Sequence, residues 1–439
     1  MGAARQYGGY LYLGSFHEQS VKLRREDMMR ISCNSMRKAT VDVTARIVWI
    51  VAFAFMAGCD GGGSGGSPNT PSRFMYVNAD SGPNEFYTET YGFVLSSGGA
   101  LEPVTGFSPV PSSLRGGGPL VIPFGSKFLY TTNTNGLAAF QINPDGSLTN
   151  APSASFSMTN TPVGLVADPT LNFLYVSSGS GVLSVFAINS ETGALNLTSS
   201  VSLGASNIKI QNSAVITPNG KYLYQAAVYY PNGLGQAPAQ GQLAAFSIDP
   251  ATGALSAVPE GPVSISTRIP SMSIDPTGKF LYASYEADNE VAAFLIDATS
   301  GALTAVPGSP FAVGGSATTI VTRIAVDASG KFLIVGLEPG EVSNCLDVLS
   351  IDSGTGALTR VPGSPFPPAA LYCPLVAADP SGPLIYVGTA GGIQPGLGVP
   401  PATVVALSVD QTTGALTTVG QAAVPDTSKV AAGFIALTH

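Results

Sequence analysis

One pattern recurs seven times between residue 73 and the last residues of the chain, and this repetition restricts the fold more than any other feature. Each copy reads as an apolar pair, a DPxGKFLY-like turn, an alternating VxAFxID-like run and then TGALT. Internal repeats of about fifty residues are typical of propellers and solenoids. The last residue of the FLY segment marks the copies, at Tyr76, Tyr130, Tyr175, Tyr224, Tyr282, Ile334 and Tyr386.

Within each copy the apolar residues alternate with a period of two, as in residues 243–249 and 291–297. This alternation, with turn residues between the runs, indicates short β-strands. Each copy is therefore predicted to form four strands, which we label A to D. Seven four-stranded units predict an all-β fold, a seven-bladed β-propeller. The recurring VPGSPF segment is predicted to end strand D and to carry the chain across to the next blade.

The first copy begins directly on its strand B, at Arg73, so the sequence offers only six A strands ahead of the seven B strands. The missing A strand is most simply supplied by residues 430–437, near the end of the chain. This pairing would close the ring by joining its two ends.

The N-terminal region has the organisation of an export signal. An apolar run at residues 47–58 follows Arg37, Lys38 and Arg46 and precedes a Gly/Ser-rich stretch, as in a secretory signal peptide. Residues 56–59 read Met-Ala-Gly-Cys and resemble a bacterial lipobox, which would make Cys59 the lipidated first residue of the mature chain. A cleaved signal without lipid and an uncut anchor are the alternatives.

These features divide the chain into four segments. Residues 1–35 are interpreted as an over-extended start or a disordered segment, 36–58 as the signal peptide, 59–72 as a flexible tether and 73–439 as the propeller. The expected location is the bacterial cell envelope, with a lipid on Cys59 holding a monomer on the membrane.

From Cys59 onward the chain has 11 Lys and Arg against 23 Asp and Glu, a net charge of −12. A body this acidic makes nucleic acid an unsuitable partner. Export also permits a disulfide, and Cys345 and Cys373 fall on the same face of neighbouring predicted blades. We predict that they are bonded, with two buried free thiols as the alternative.

Two of the copies, SIDPTGKFLYASYEADNEVAAFLIDATSGALTAV and ADPTLNFLYVSSGSGVLSVFAINSETGALNL, resemble the seven-bladed lactonase family. That family includes propeller-type 6-phosphogluconolactonases and muconate-lactonising enzymes. The resemblance extends over roughly residues 73 to 437 and implies a lactone-hydrolysing ancestor. It also overlaps with surface proteins that carry YVTN-type propeller repeats.

The resemblance weakens at the residues that would carry the chemistry. The family pattern has a Pro-Arg-His motif ahead of an A strand, but residues 269–271 read Ile-Pro-Ser. Glu286 matches the family glutamate, whereas Glu338 lies where the family tends to have an arginine. The chain has two histidines, His17 and His439, and neither falls inside a predicted blade channel.

The remaining candidates are Glu286 as a general base and three arginines as binding residues for an anionic sugar. The arginines are predicted to lie in D-to-A crossings at one mouth of the channel, at Arg115, Arg268 and Arg323. The competing interpretation is that each arginine pairs with a loop carboxylate, such as Asp288, Glu290 or Glu338.

No other chemistry is indicated. The sequence lacks CxxC, HExxH and phosphate-loop patterns, so neither a cofactor nor a metal site is predicted, with calcium on the acidic loops as an alternative. We therefore expect a ligand-binding or surface-interaction module with a degenerate catalytic site. A lactone hydrolase with a rearranged Arg/Glu site and an envelope scaffold for proteins are the alternatives.

Overall fold

A computed structural model gives the fold as two compact units, Met1–Ser67 and Pro68–His439. In the first unit the described residues form one antiparallel pair, β1 (Tyr10–Leu11) and β2 (Leu23–Arg24). In the second unit the structure describes residues 73–438 except 81–87, 113–117, 124, 134–135, 170–171, 204–207, 233–239, 266–267, 286–288, 315–318, 339–342, 371, 391–401 and 426–430. The predicted signal peptide and tether, with Cys59, lie outside the described residues.

The second unit consists of antiparallel strands grouped into seven sheets. Blade 1 contains β3 (Arg73–Asp80), β4 (Thr88–Leu95), β5 (Leu101–Pro103) and β6 (Val110–Ser112). Blade 2 contains β7 (Leu120–Val121), β8 (Phe128–Asn133), β9 (Gly136–Ile142) and β10 (Leu148–Ser157). Blade 3 contains β11 (Pro162–Ala167), β12 (Phe173–Ser178), β13 (Val182–Ile188) and β14 (Leu195–Ser202).

Blades 4 to 7 follow the same order. Blade 4 contains β15 (Ile208–Ile216), β16 (Tyr222–Tyr229), β17 (Gln240–Ile248), β18 (Leu255–Ala257) and β19 (Val263–Ile265). Blade 5 contains β20 (Met272–Ile274), β21 (Phe280–Tyr285), β22 (Glu290–Ile296), β23 (Leu303–Ala305) and β24 (Phe311–Ala312). Blade 6 contains β25 (Ile320–Val326), β26 (Phe332–Glu338), β27 (Ser343–Ile351), β28 (Leu358–Arg360) and β29 (Phe366–Ala370). Blade 7 contains β30 (Tyr372–Ala378), β31 (Leu384–Ala390), β32 (Thr403–Val409) and β33 (Leu416–Ala423).

The final strand, β34 (Ala431–Leu437), belongs to blade 1. It pairs antiparallel with β3, with Leu437 opposite Met75 and Ala431 opposite Asp80. Successive inner strands contact one another around the whole ring, in the order β34, β7, β11, β15, β20, β25, β30 and back to β34. The predicted seven-bladed propeller, closed by the C-terminal strand, is confirmed.

The alternation of the sequence places one side of each blade against the next blade. The core therefore consists of layers between adjacent sheets, such as the cluster that joins Phe173 and Tyr175 of blade 3 to Leu223 and Phe246 of blade 4. Residues at the alternating B-strand positions, such as Tyr224 and Leu223, are fully buried. Each strand B is thus covered on both sides, as expected for the interior of a propeller.

The tight turns lie on one face of the ring, which we call the turn face because it carries the A–B and C–D connections. In A–B turns an aspartate accepts backbone hydrogen bonds, as Asp275 does from the Phe280 amide at 2.6 Å. In C–D turns Asp297 accepts the amides of Thr299 and Ser300 at 2.9 and 2.8 Å. These bonds from Ser300 and Thr299 lower the pKa of Asp297. The opposite face, with the B–C and D–A connections, is the loop face.

The FLY and TGAL segments of neighbouring blades form one contact. In five blade-to-blade seams, the tyrosine hydroxyl of strand B donates to the carbonyl of the TGAL-type glycine in the next blade. The glycine also has a positive φ, 79° at Gly301, and a Cβ there would lie 2.4 Å from the Tyr222 ring. The donor–acceptor pairs are Tyr76–Gly146, Tyr130–Gly193, Tyr175–Gly253, Tyr224–Gly301 and Tyr282–Gly356.

The prediction that VPGSPF ends strand D was wrong. The strand resumes after this segment and pairs with strand C again, because β24 pairs with β22 and β29 pairs with β27. The serine inside the interruption replaces a strand-D carbonyl: Ser309 Oγ accepts the Ala293 amide at 2.9 Å, and Ser364 Oγ accepts the Val348 amide at 3.1 Å. The segment therefore divides an outer edge strand without exposing strand C, which blunts the edge against pairing with other chains.

Candidate functional site: the loop-face end of the channel

The inner strands depart from regular pairing near the loop face. Shifts in register occur in β11, β15, β25, β30 and β34, in each case towards the strand's N-terminal half. Bulges re-aim side chains and are common beside functional sites. In β25 the shift lies between Val321 and Ile324, which leaves Thr322 and Arg323 without cross-strand partners.

Arg323 lies in the central channel. We predicted it in a D–A crossing, but it lies inside β25, because the strand begins three residues earlier. Its Nη1 donates to the Pro270 carbonyl of blade 5 at 2.7 Å, and its guanidinium carbon lies 4.8 Å from the centre of the Phe434 ring in β34. Blades 6 and 1 are not neighbours, so a contact between their inner strands crosses the channel.

The positive charge of Arg323 has no carboxylate partner among the described residues. Neither Glu290 nor Glu338 pairs with it, so the competing interpretation, in which each arginine pairs with a loop carboxylate, does not hold for Arg323 at these two positions. Desolvation by the surrounding protein lowers the pKa of Arg323 to about 10, so the group remains charged at neutral pH. A cation over an aromatic ring gains some stabilisation, but it keeps unused hydrogen-bond donors.

The segment that replaces the family Pro-Arg-His pattern is held by its neighbours. The Ile269 amide donates to Gln211 Oε1 at 2.9 Å, and the Pro270 carbonyl accepts from Arg323. Ser271 Oγ accepts the Ile324 amide at 3.1 Å and is 6% exposed as a residue. The polar groups at these positions are therefore engaged in contacts between blades.

The other predicted site residues have different outcomes. Arg268 lies in the crossing between β19 and β20 and is exposed. Arg115 and Glu286 lie outside the described residues, so their convergence with Arg323 stays a prediction, and Asp288, a carboxylate of the competing interpretation, lies outside them too. Cys345 in β27 and Cys373 in β30 form a disulfide with a Cα–Cα distance of 5.8 Å, and both residues are fully buried.

Three residues of this region were not singled out from the sequence. Gln211 and Thr322 lie in bulges, where each side chain bonds to the backbone of the next blade, and nothing local in the sequence marks a bulge. Phe434 was placed correctly within the closing strand, but its contact with Arg323 depends on two blades that are far apart in the chain.

The turn-face end of the channel is lined by different kinds of residue from the loop-face end. A cavity of about 190 Å³ opens there between the A-strand ends of blades 2, 3 and 4. Its lining is mainly apolar, and its one carboxylate, Asp168, already accepts the Phe173 amide at 3.1 Å. Arg323 therefore marks the loop-face end as the polar end of the channel.

The described residues contain neither a cluster of metal ligands nor a membrane-crossing helix. No three His, Cys, Asp or Glu residues in this part of the chain are grouped as metal ligands. No helix among the described residues is long and apolar enough to cross a membrane.

The sequence model of the lactonase family, described as a seven-bladed β-propeller, matches residues 84–208 and 201–322. Together these ranges cover more than half of the chain. The chain belongs to the seven-bladed lactonase family. No curated protein sequence matches it significantly.

Solved structures of similar fold agree with this family. A provisionally named 6-phosphogluconolactonase of Bacteroides fragilis aligns with a TM-score of 0.63 and 19% identity, over 85% of this chain and 100% of its own. The periplasmic gluconolactonase of Pseudomonas aeruginosa aligns with a TM-score of 0.61 and 14% identity, over 84% of this chain and 99% of its own. At these identities the likeness supports the lactonase-family fold alone.

Proposed function

We propose that this lactonase-family propeller is an exported, lipid-anchored module that binds an anionic, carboxylate-bearing sugar at the loop-face end of its channel. The observation that carries the proposal is Arg323, a charged side chain in the channel without a carboxylate partner among the described residues. A desolvated cation is costly unless it is paired, and a bound carboxylate would supply the missing partner.

The same region supports a degenerate catalytic site. Lactone hydrolysis requires a base for water and donors for the developing oxyanion. At the position of the family Arg and His, the chain has Pro270 and Ser271, whose polar atoms are used between blades. These residues can fix the shape of a binding site, but they supply neither an imidazole base nor a second guanidinium.

Calorimetric titration of the full chain in detergent with D-gluconate tests the binding proposal. Arg323→Gln should weaken binding by about 10- to 150-fold, which corresponds to the 1.5–3 kcal/mol of a hydrogen bond to a charged group. Lys209→Gln is the matched control, because Lys209 is an exposed cation near the loop-face end of β15 in blade 4. Equal losses in both variants, or no binding by the wild type, would overturn the proposal.

A lactone hydrolase is the second candidate, and the family match at residues 84–322 favours it. The assay is hydrolysis of glucono-1,5-lactone by the wild type and by Glu286→Gln. Turnover that disappears in the variant would establish the hydrolase and contradict a degenerate site. Turnover at the uncatalysed rate in both proteins would leave gluconate binding as the function of the site.

The anchor is tested separately, by labelling cells with a fatty acid and comparing the wild type with Cys59→Ala. Label that depends on Cys59 would support the lipid anchor, since two or more acyl chains hold a protein stably on a membrane. Equal labelling of both proteins would remove the anchor from the proposal and leave the binding site untouched.

A further inference from the structure

The Cys345–Cys373 disulfide lies next to the bulge of β25, which consists of residues 322 and 323. It joins strand C of blade 6 to strand A of blade 7. The backbone of Cys373 accepts a hydrogen bond from Thr322, whose Oγ1 lies 2.6 Å from the Cys373 carbonyl oxygen. Thr322 immediately precedes Arg323, so one hydrogen bond connects the cystine to the residue before the channel cation.

Strand β26, which pairs with β25, packs closely against the contact between Thr322 and Cys373. A Cβ at Gly336 in β26 would lie 2.7 Å from the Cys373 carbonyl oxygen and 2.8 Å from Thr322 Oγ1. The Thr322 hydroxyl and the Cys373 carbonyl therefore fill the space over Gly336, and a larger residue at 336 would displace them. Close approach of this kind is a use to which glycine is suited.

Arg323 depends on these contacts because its own backbone lacks regular pairing. Residues 322 and 323 have no cross-strand partners, whereas Val321 and Ile324 on either side are paired with Leu337 and Val335. The hydrogen bond from the Thr322 hydroxyl to the Cys373 carbonyl connects the bulge to blade 7. Without it, the bulge would be held by the bond from the Ile324 amide to Ser271, and the Arg323 side chain by its contacts with Pro270 and Phe434.

We propose that Thr322 and the Cys345–Cys373 disulfide are positioning residues for Arg323, and that they hold its guanidinium across the channel for an incoming carboxylate. The proposal rests on the binding function stated above. It predicts that loss of either link moves Arg323 while the rest of blade 6 stays folded.

The first readout needs no ligand. Modification of arginines by phenylglyoxal, followed by peptide mass spectrometry, reports how freely each guanidinium is exposed. Arg360 is the internal reference, because it lies in the same blade and is fixed by Asp347 at 2.8 Å. Thr322→Val should raise the modification rate of Arg323 by about two- to tenfold, the effect of losing one hydrogen bond, with Arg360 unchanged.

Two further variants separate positioning from general destabilisation. Thr322→Ser keeps the hydroxyl and should restore the wild-type rate, while Thr198→Val removes a comparable Thr-to-carbonyl bond in blade 3, at 3.1 Å from the Val185 oxygen, and should leave Arg323 unaffected. The double variant Cys345→Ala/Cys373→Ala should behave like Thr322→Val. Unchanged Arg323 reactivity in both Thr322→Val and Cys345→Ala/Cys373→Ala, or an equal rise in reactivity at Arg360, would overturn the proposal.

Gluconate titration of the same variants completes the test. Thr322→Val should weaken binding about two- to tenfold and Thr322→Ser should restore it. A wild type that binds no gluconate but shows the predicted change in Arg323 reactivity would contradict the proposed function and leave the positioning role standing. Gluconate binding that is insensitive to Thr322→Val would support the function and contradict the positioning role.

Discussion

Five seams of the ring and the two seams beside blade 7 are held in different ways. In the five, a buried tyrosine hydroxyl donates to a glycine carbonyl of the next blade, at 2.8 to 3.3 Å. Between blades 6 and 7, Ile334 occupies the tyrosine position and the disulfide joins the blades. On the turn face the two kinds of seam are alike, because Lys331 Nζ donates to the Gln411 carbonyl of blade 7 at 3.3 Å and Lys279 Nζ donates to the Gly354 carbonyl of blade 6 at 2.8 Å.

The seam between blades 7 and 1 closes the ring, and it too departs from the repeat. The hydroxyl of Tyr386 donates to Asp379 inside its own blade, at 3.2 Å. Arg73 at the start of β3 forms a two-bond ion pair with Asp379, at 2.9 Å for each bond. Burial raises the pKa of Asp379, but the bonds from Arg73 and Ser381 outweigh it and lower the pKa overall.

The comparison shows which seams have other contacts in place of the repeated tyrosine–glycine hydrogen bond: the two seams of blade 7. Blade 7 is joined to the ring by a covalent bond on one side and by a charged pair and the C-terminal strand on the other. Arg323 belongs to blade 6 and directly follows Thr322, which bonds to Cys373 of blade 7. The seam between blades 6 and 7 therefore meets the candidate site at Thr322.

The largest effect is expected from removing the closing strand. Deletion of residues 430–439 should abolish cooperative unfolding, because β3 would lose its pairing from Met75 to Asp80 and blade 1 its inner strand. Circular dichroism during urea denaturation measures this, with deletion of His439 alone as the control. A cooperative transition in the longer deletion would show that the ring does not need β34.

Alkaline pH should disrupt the tyrosine seams next. Burial raises the pKa of six B-strand tyrosines, at Tyr76, Tyr130, Tyr175, Tyr224, Tyr282 and Tyr386. Because the folded-state pKa exceeds the unfolded value, their contribution to stability is fully present below about pH 10 and is lost above it. Absorbance at 295 nm should show these residues ionising together with unfolding. Their ionisation while the native circular dichroism persists would contradict this.

Removal of the disulfide comes third. Cys345→Ala/Cys373→Ala should lower the free energy of unfolding by about 2–4 kcal/mol, the typical contribution of a disulfide. The loop that it closes has a sequence separation of 28 residues. Urea denaturation gives the change, and a difference below the error of the extrapolation would show that the seam between blades 6 and 7 is held without it.

A single tyrosine hydroxyl should have the smallest effect. Tyr224→Phe removes the donor to the Gly301 carbonyl and should cost about 0.5–1.5 kcal/mol. Tyr229→Phe, in the same strand but partly exposed, is the matched control and should be neutral.

Conversely, Ile334→Tyr should stabilise the seam between blades 6 and 7 by a similar amount in the protein that lacks the disulfide. Destabilisation there would show that the position no longer admits the tyrosine.

The parts of this fold that sequence alone predicted are those encoded within one repeat. Alternation predicted the strands, and the absence of an A strand before Arg73 predicted the role of residues 430–437. Apart from the Cys345–Cys373 disulfide, the contacts that join blades were not predictable in the same way, because the Tyr224–Gly301 bond and the Arg73–Asp379 pair need the relative positions of two sheets. Arg323 was identified as a candidate, but its place inside a strand depended on a bulge, and the outcome of VPGSPF depended on a serine replacing a backbone acceptor.

The central claim is that blade 7 is held by bonds outside the repeat, and that the bonds between blades 6 and 7 also position Arg323. Hydrogen–deuterium exchange of the wild type and of Cys345→Ala/Cys373→Ala tests this directly, because it resolves individual strands. Faster exchange is predicted in β25 and β30, which flank the altered seam, with unchanged exchange in β11 and β15 between blades 3 and 4. Unchanged exchange in β25 and β30, or an equal increase in all four strands, would contradict the claim.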